Sequence, residues 1–112
     1  MSSTKMKMTG KGPRSIREIA EDLRWEIKAE LVDQINRKVN GADVIVLLFE
    51  KLYFRNGSYA ALMIMLTEQE EEKVADIVGF GGGEGLFNIS WGANSDFAEL
   101  AQKILRKHGF SA

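Results

Sequence analysis

Residues 43–66 read DVIVLLFEKLYFRNGSYAALMIML, two runs of valine, leucine and aromatic residues on either side of Asn56-Gly57. Such residues favour strands. An Asn-Gly pair is typical of a type I′ turn, because both central residues of that turn need positive φ. The sequence therefore predicts a β-hairpin, and the other elements are placed around it.

The turn also predicts which residues of the hairpin share a face. If Arg55 faces Ser58, Phe49 pairs with Ile64, and their face is expected to be core. A sheet with helices on one side normally leaves its other face polar. Here the other face is nearly as apolar, so we expect a second chain to cover it in a homodimer. Its predicted interface residues are Leu48, Leu52, Phe54, Tyr59, Met63 and Met65.

The N-terminal part predicts an arm followed by helix. Residues 1–14 are polar and aperiodic, which is typical of a disordered arm, and residues 15–112 are expected to form a single domain. Ser15 and Glu18 have the spacing of a capping box. Apolar residues then recur at helical intervals as far as Val39, which predicts one long helix or two shorter helices that meet near Lys28. Asn40-Gly41 is expected to end this helical part.

The C-terminal half predicts two further strands and a helix. Strands are expected from Lys73 to Phe80 and from Leu86 to Trp91, and a helix is expected to begin near Asp96. The predicted fold class is α+β, in the order α-β-β-β-β-α. A four-stranded antiparallel sheet would be flanked by an N-terminal helix or helix pair and by a C-terminal helix.

Composition narrows the class of protein. The chain has 112 residues, a hydrophobic share of 45% and a charged share of 28%, which is typical of one globular domain. Its apolar runs fall short of the roughly 20 residues of a spanning helix, and the N-terminus lacks the apolar region of a secretory signal. With no cysteine, the chain is expected to be cytoplasmic. A net charge of −1 argues against nucleic-acid binding, since only Lys51 and Arg55 lie beside the aromatic strand residues.

Two segments, EKLYFRNGSYAAL and GFGGGEGLFNISWGANSDFAELAQKIL, resemble a family of small bacterial proteins known only as a domain of unknown function. The shared pattern is an aromatic strand with acidic and basic residues, a glycine-bearing turn, a Gly-Gly loop, a second aromatic strand and a closing helix. It covers about the last two-thirds of the chain. The resemblance implies a topology and no particular chemistry.

The run from Gly81 to Gly85 is a candidate ligand-binding loop. It matches neither the dinucleotide-binding fingerprint nor the phosphate-binding P-loop. Two interpretations remain: successive backbone amides that hold an anion, or a bulge where another backbone passes closely. Under the first interpretation, Gly82, Gly83 and Glu84 are the candidate ligand-binding residues.

Glu50 is the fourth candidate, because it stands among apolar residues of the hairpin. A carboxylate there needs a partner if the face is covered. That partner is either a ligand's amine or hydroxyl group, or a structural charge. The structural alternatives are Lys73, Arg55 and a residue across a dimer axis.

The sequence predicts no catalytic, metal or cofactor site. His108 is the only histidine and is expected to stabilise the end of the last helix. Without cysteine or a second histidine, catalysis would rest on carboxylates such as Glu50, Asp76 and Glu84, which no spacing brings together. The leading hypothesis is a non-enzymatic homodimeric module for interaction or small-ligand binding. The alternative is a small-molecule-binding protein or enzyme with a pocket between the sheet and the last helix, near Glu50 and the Gly81 to Gly85 loop.

Overall fold

The computed structural model describes residues 2–53, 58–83 and 89–112. Within these residues six strands and two helices follow one another along the chain. They are β1 (Ser2–Gly10), α1 (Ile16–Glu26), β2 (Glu30–Val39), β3 (Ala42–Tyr53), β4 (Ser58–Gln69), β5 (Glu72–Gly83), α2 (Ile89–Arg106) and β6 (Phe110–Ser111).

One sheet contains all six strands, in the order β2-β3-β4-β5-β1-β6. Strands β2 to β5 form a meander of antiparallel neighbours, and β1 pairs antiparallel with β5 and β6. The predicted α+β class with an antiparallel sheet is confirmed. The predicted count of four strands is wrong, since the described residues contain six.

Both helices pack against the same face of the sheet. Alternate residues of β3 and β4, among them Leu47, Phe49, Leu62 and Ile64, are at most 1% exposed on that face. They form one core with the apolar sides of the helices. Helix α1 contacts β3 and β4, whereas α2 contacts β1, β4 and β5. The core therefore lies between one face of the sheet and two helices.

The N-terminal residues form strand β1, where a disordered arm was predicted. Lys5, Lys7 and Thr9 are exposed, whereas Met6 is half-buried and Met8 is fully buried. This alternation is a strand signal. The polar composition of the segment outweighed that signal in the sequence prediction. Because β1 pairs with β5 over nine consecutive residues, it is an integral part of the sheet.

The helix predicted to reach Val39 ends at Glu26, and residues 30–39 form strand β2. Asn40 and Gly41 have φ of 50° and 83°, and they join Val39 to its partner Ala42 in a tight hairpin. Positive φ suits both a helix end and a type I′ turn, so the Asn-Gly signal was ambiguous. The capping box at Ser15 and Glu18 is confirmed.

The predicted hairpin is confirmed as β3 and β4, but its predicted register is wrong by two residues. Tyr53 pairs with Ser58 and Phe49 pairs with Leu62. A shift of two residues keeps each side chain on its predicted face, because strand side chains alternate with a period of two. Asn56-Gly57, from which the register was derived, lies outside the described residues.

The C-terminal half also differs from its prediction. Strand β5 contains the predicted strand and continues to Gly83, so Gly81, Gly82 and Gly83 pair with β4 as strand residues. Helix α2 begins at Ile89 rather than near Asp96, so the strand predicted from Leu86 to Trp91 is wrong over residues 89–91. Residues 86–88 of that prediction lie outside the described residues.

A buried lysine holds the start of α1 against the sheet. Lys73 of β5 is 3% exposed, and its Nζ lies 3.6 Å from Oε2 of Glu68, its cross-strand partner. The same Nζ donates a hydrogen bond of 2.6 Å to the carbonyl oxygen of Gly12. Oε1 of Glu68 accepts a hydrogen bond of 3.0 Å from the backbone N–H of Ile16. One ion pair therefore ties the sheet to both the loop and the first turn of the helix.

We expect the substitution Lys73→Met to lower the free energy of unfolding by about 1–3 kcal/mol. Methionine keeps the apolar stem but leaves the Gly12 carbonyl and the Glu68 carboxylate without their donor. Glu68→Gln should cost less, because the amide oxygen can still accept from Ile16. Urea unfolding followed by circular dichroism measures both changes. The matched control is Glu71→Gln in the exposed β4–β5 turn, and a Lys73→Met loss no larger than that of the control would contradict this role.

Candidate functional site

The face of the sheet opposite to both helices carries an apolar surface that none of the described elements covers. We call it the open face. Cross-strand register arranges its residues in four rows that run from β2 to β1. The rows are Arg37–Val44–Thr67–Val74–Thr9, Ile35–Val46–Met65–Asp76–Lys7, Asp33–Leu48–Met63–Val78–Lys5 and Glu30–Glu50–Ala61–Phe80–Ser3.

The three central strands give the open face its apolar centre. Val46, Leu48, Met63, Met65 and Val78 are half-buried, because each is shielded only by its neighbours on the same face. Ala61 is 7% exposed. Residues on the helix side of the same strands are nearly inaccessible. The open face therefore has the apolar composition of a core layer, but none of the described elements packs against it.

Charged side chains border this apolar centre on two sides. On the β1 side lie Lys5 and Lys7, both exposed. On the β2 side lie three exposed carboxylates and one exposed guanidinium: Glu30, Asp33, Glu50 and Arg37. A polar rim around an apolar centre is the usual anatomy of a protein interface.

Most of the predicted interface residues lie on the open face. Met63 and Leu48 are direct cross-strand partners near its middle. Leu52 and Tyr59 pair at one end and are 54% and 38% exposed. Phe54 lies outside the described residues. The sequence prediction missed the contribution of β5, whose alternating Val74, Asp76, Val78 and Phe80 continue the same face.

The candidate ligand-binding residues lie at one end of the sheet. Glu50 is exposed on the open face, two strands away from Phe80 in the same row. Gly82 follows in the next register position, opposite Tyr59. Helix α2 packs on the other face, so Glu50 does not line a pocket between the sheet and α2. Gly83 is the last residue of β5, and Glu84 lies outside the described residues.

Of the structural partners considered for Glu50, Lys73 is far from it. Lys73 projects into the helix side of the sheet near Gly12, far along β5 from the Glu50 row. Arg55 lies outside the described residues. The cross-strand neighbour of Glu50 on β2 is another carboxylate, Glu30. Glu50 therefore stands on the acidic side of the open face, where a partner of opposite charge would be favourable.

His108 makes a contact that the sequence did not predict. It follows α2, is 9% exposed, and places Nε2 2.9 Å from Oδ2 of Asp22 on α1. Arg14 approaches the same carboxylate at 3.5 Å. The spacing of Asp22 and His108 in sequence carries no signal for this contact, which depends on the packing of the two helices. The contact joins α1 to the segment that follows α2.

The described residues contain neither a cluster of metal-ligating side chains nor a membrane-spanning helix. In residues 2–53, 58–83 and 89–112, no group of three or more histidine, aspartate or glutamate side chains could hold a metal ion. None of the helices, as far as the structure describes them, is long and apolar enough to cross a membrane. Every buried side-chain nitrogen or oxygen in the described part of the chain has a hydrogen-bond partner.

Comparison with known proteins places the chain in a family. No curated protein matches it. The model of a family of unknown function (DUF6054) matches residues 1–109. These residues include both described helices and strands β1 to β5, and they end just before β6. The match extends beyond the segments that carried the resemblance and includes β1, α1 and β2. The chain therefore belongs to this family of unknown function.

Proposed function

We propose that the protein is a non-enzymatic interaction module that works as a homodimer and covers the open face with a second copy. The observation that carries the proposal is the position of the helices. Both lie on one face of a sheet whose central strands are apolar on both faces. Hydrophobic surface of this extent is favoured to leave water.

The size of the open face suits a stable dimer. Five strands about 4.8 Å apart, and four rows about 6.8 Å apart, span roughly 24 by 27 Å. Two such faces would bury about 1,300 Å² in total by projection. Stable protein interfaces bury about 1,200–2,000 Å². The open face is therefore large enough for a stable contact with a second copy.

The composition of the open face agrees with an interface centre. Methionine and aromatic residues are enriched in interfaces, and charged residues are depleted from their centres. Met63 and Met65 occupy the middle strand, and Phe80 lies beside Ala61 in the last row. The unbranched methionines can adapt their shape to a copy of the same surface.

We expect Met63→Glu to convert the dimer to a monomer. In the dimer, the carboxylate would be buried at the centre of the interface without a partner, at a cost of several kcal/mol. Multi-angle light scattering should give a mass near 12.5 kDa for the variant and twice that value for the unaltered chain. Circular dichroism should show that the variant keeps its fold.

The matched control is Trp25→Glu. Trp25 is 80% exposed on α1, away from the open face, and its substitution removes a larger apolar side chain. The control should remain dimeric. If the unaltered chain is monomeric at about 50 µM, well above the Kd of ordinary stable complexes, the proposal is wrong.

The second candidate function is small-ligand binding at the Glu50 end of the sheet. It is favoured by one observation: Glu50 and Gly82 share the open face at the same end. A carboxylate beside apolar surface suits a ligand with an amine or hydroxyl group. Gly82, Gly83 and Glu84 remain the other proposed contacts.

A panel of primary amines and polyols tests this candidate by thermal shift. A ligand present at about 100 times its Kd should stabilise the native protein by about 2.7 kcal/mol, which raises the Tm by several degrees. Glu50→Gln should abolish the rise, whereas Glu71→Gln should leave it unchanged. If no compound raises the Tm of the unaltered chain, the candidate is rejected.

A further inference from the structure

We propose that the two copies are related by a two-fold axis that runs parallel to β4, so that Lys5 of each copy lies over Asp33 of the other. This inference rests on the proposed homodimer and specifies its geometry. It follows from the register of the sheet and from the positions of the charges at its two sides.

Two sheets that pack face to face can be related only by a two-fold axis that lies in the plane between them. An axis parallel to the strands exchanges the two sides of the sheet and keeps each row in place. Strand β4 is the middle one of β2, β3, β4, β5 and β1, so it would lie over its own copy. An axis across the strands would keep β1 over β1 and exchange the rows.

The charges distinguish these two arrangements. Lys5 and Asp33 lie in the same row, at opposite sides of the open face. An axis along β4 therefore brings Lys5 of one copy over Asp33 of the other, twice per dimer. An axis across the strands would bring Arg37 over Glu30 of the second copy, which is favourable. It would also bring Lys5 towards Lys7, and like charges opposite each other are unfavourable. Only the axis along β4 gives pairs of opposite charge without pairs of like charge.

The elongated shape of the molecule favours a dimer in which the strands of the two copies are nearly aligned. The protein measures 46 by 24 by 22 Å, and strands of 12 residues, such as β3 and β4, extend about 40 Å along the longest dimension. Two such sheets at right angles would overlap only over a square about 24 Å wide, the width of the five strands. Aligned sheets, crossed at about 30° as in ordinary β-sandwiches, overlap along most of the strand length.

The charges in the row of Lys7 fit the same arrangement. Asp76, the one carboxylate on the three central strands within the middle rows, has Lys7 of its own chain as cross-strand neighbour. Lys7 would lie over Ile35 of the second copy, which is 40% exposed and belongs to the same row. The lysine stem can pack on that side chain while its ammonium group reaches towards Asp76 of its own chain.

A charge exchange tests the proposed pair. Lys5→Glu and Asp33→Lys should each weaken the homodimer by about threefold to thirtyfold in Kd, because each places two pairs of like charges together. When the two variants are mixed, both pairs of the heterodimer have opposite charges again. Sedimentation velocity should therefore show dimer restored in the mixture. Lys103→Glu, an equal charge change on exposed helix surface, serves as the control and should not alter the Kd.

Cross-linking tests the axis itself, since the chain has no cysteine of its own. Lys7→Cys and Ile35→Cys leave the Lys5–Asp33 pair intact. A short bismaleimide that spans the roughly 10 Å between packed sheets should link one variant to the other in a mixture. Neither variant should link to itself. Met63→Cys, on the middle strand, should link to its own copy.

The outcomes separate this proposal from the homodimer on which it rests. A monomeric unaltered chain rejects both. A dimer in which Lys7→Cys links to itself, or in which mixing the charge variants restores nothing, rejects only the axis along β4. Cross-linking of Lys7→Cys to Glu72→Cys in the acidic β4–β5 turn would instead show sheets crossed at right angles, which also rejects it.

Discussion

The structure depends on a mismatch between a sheet with two apolar faces and two described helices that both pack on one of those faces. Strands β3, β4 and β5 carry apolar side chains on both sides, so a complete monomer would need a layer on each side. Helices α1 and α2, of 11 and 18 residues, both lie on one side and form a single core with it. Domains are normally built from layers that bury each other's apolar faces. The second face is therefore left without a covering layer by the described residues.

The choice of side for α1 is fixed by specific contacts as well as by apolar packing. Lys73 and Glu68 lie on the helix side of the sheet, where they hold the Gly12 carbonyl and the first turn of α1. Gly12 also passes so close to the C-terminal segment that a Cβ at this position would meet the carbonyl oxygen of His108 at 2.6 Å. These contacts hold both ends of the loop between β1 and α1. With both ends of this loop held, α1 stays on the helix side of the sheet.

The sequence predicted the centre of the sheet better than its sides. The β3–β4 hairpin and β5 were recognised, because apolar residues with a strand-like composition flank strong turn signals. Strand β2 was missed because it lies at a side of the sheet, where residues such as Asn36 and Lys38 are exposed on the helix side as well. A strand whose two faces are both exposed to solvent has no alternating pattern of apolar and polar residues. The apolar residues of β2 happen to follow helical spacing instead.

The same difference explains what could be predicted of the candidate site. The apolar centre of the open face followed from the alternation of side chains along β3 and β4, which a register error of two residues does not change. The charged sides could not be predicted, because Lys5 and Asp33 lie in segments that were assigned to an arm and a helix. Their position opposite each other across the sheet depends on tertiary strand order, in which β1 joins β5 after the whole meander.

The two edges of the sheet carry features that make the open face the more favourable contact for a second copy. An exposed edge strand presents unpaired backbone groups, and proteins commonly protect such edges with bulges, charges or short covering segments. At one edge, β2 has a register irregularity between Leu31 and Asp33 and several charged side chains. At the other edge, β6 pairs with Thr9 and Gly10 of β1, and Lys5 and Lys7 follow along that strand. Both edges thus carry features that oppose strand addition, so in the proposed dimer the second copy would meet the face rather than an edge.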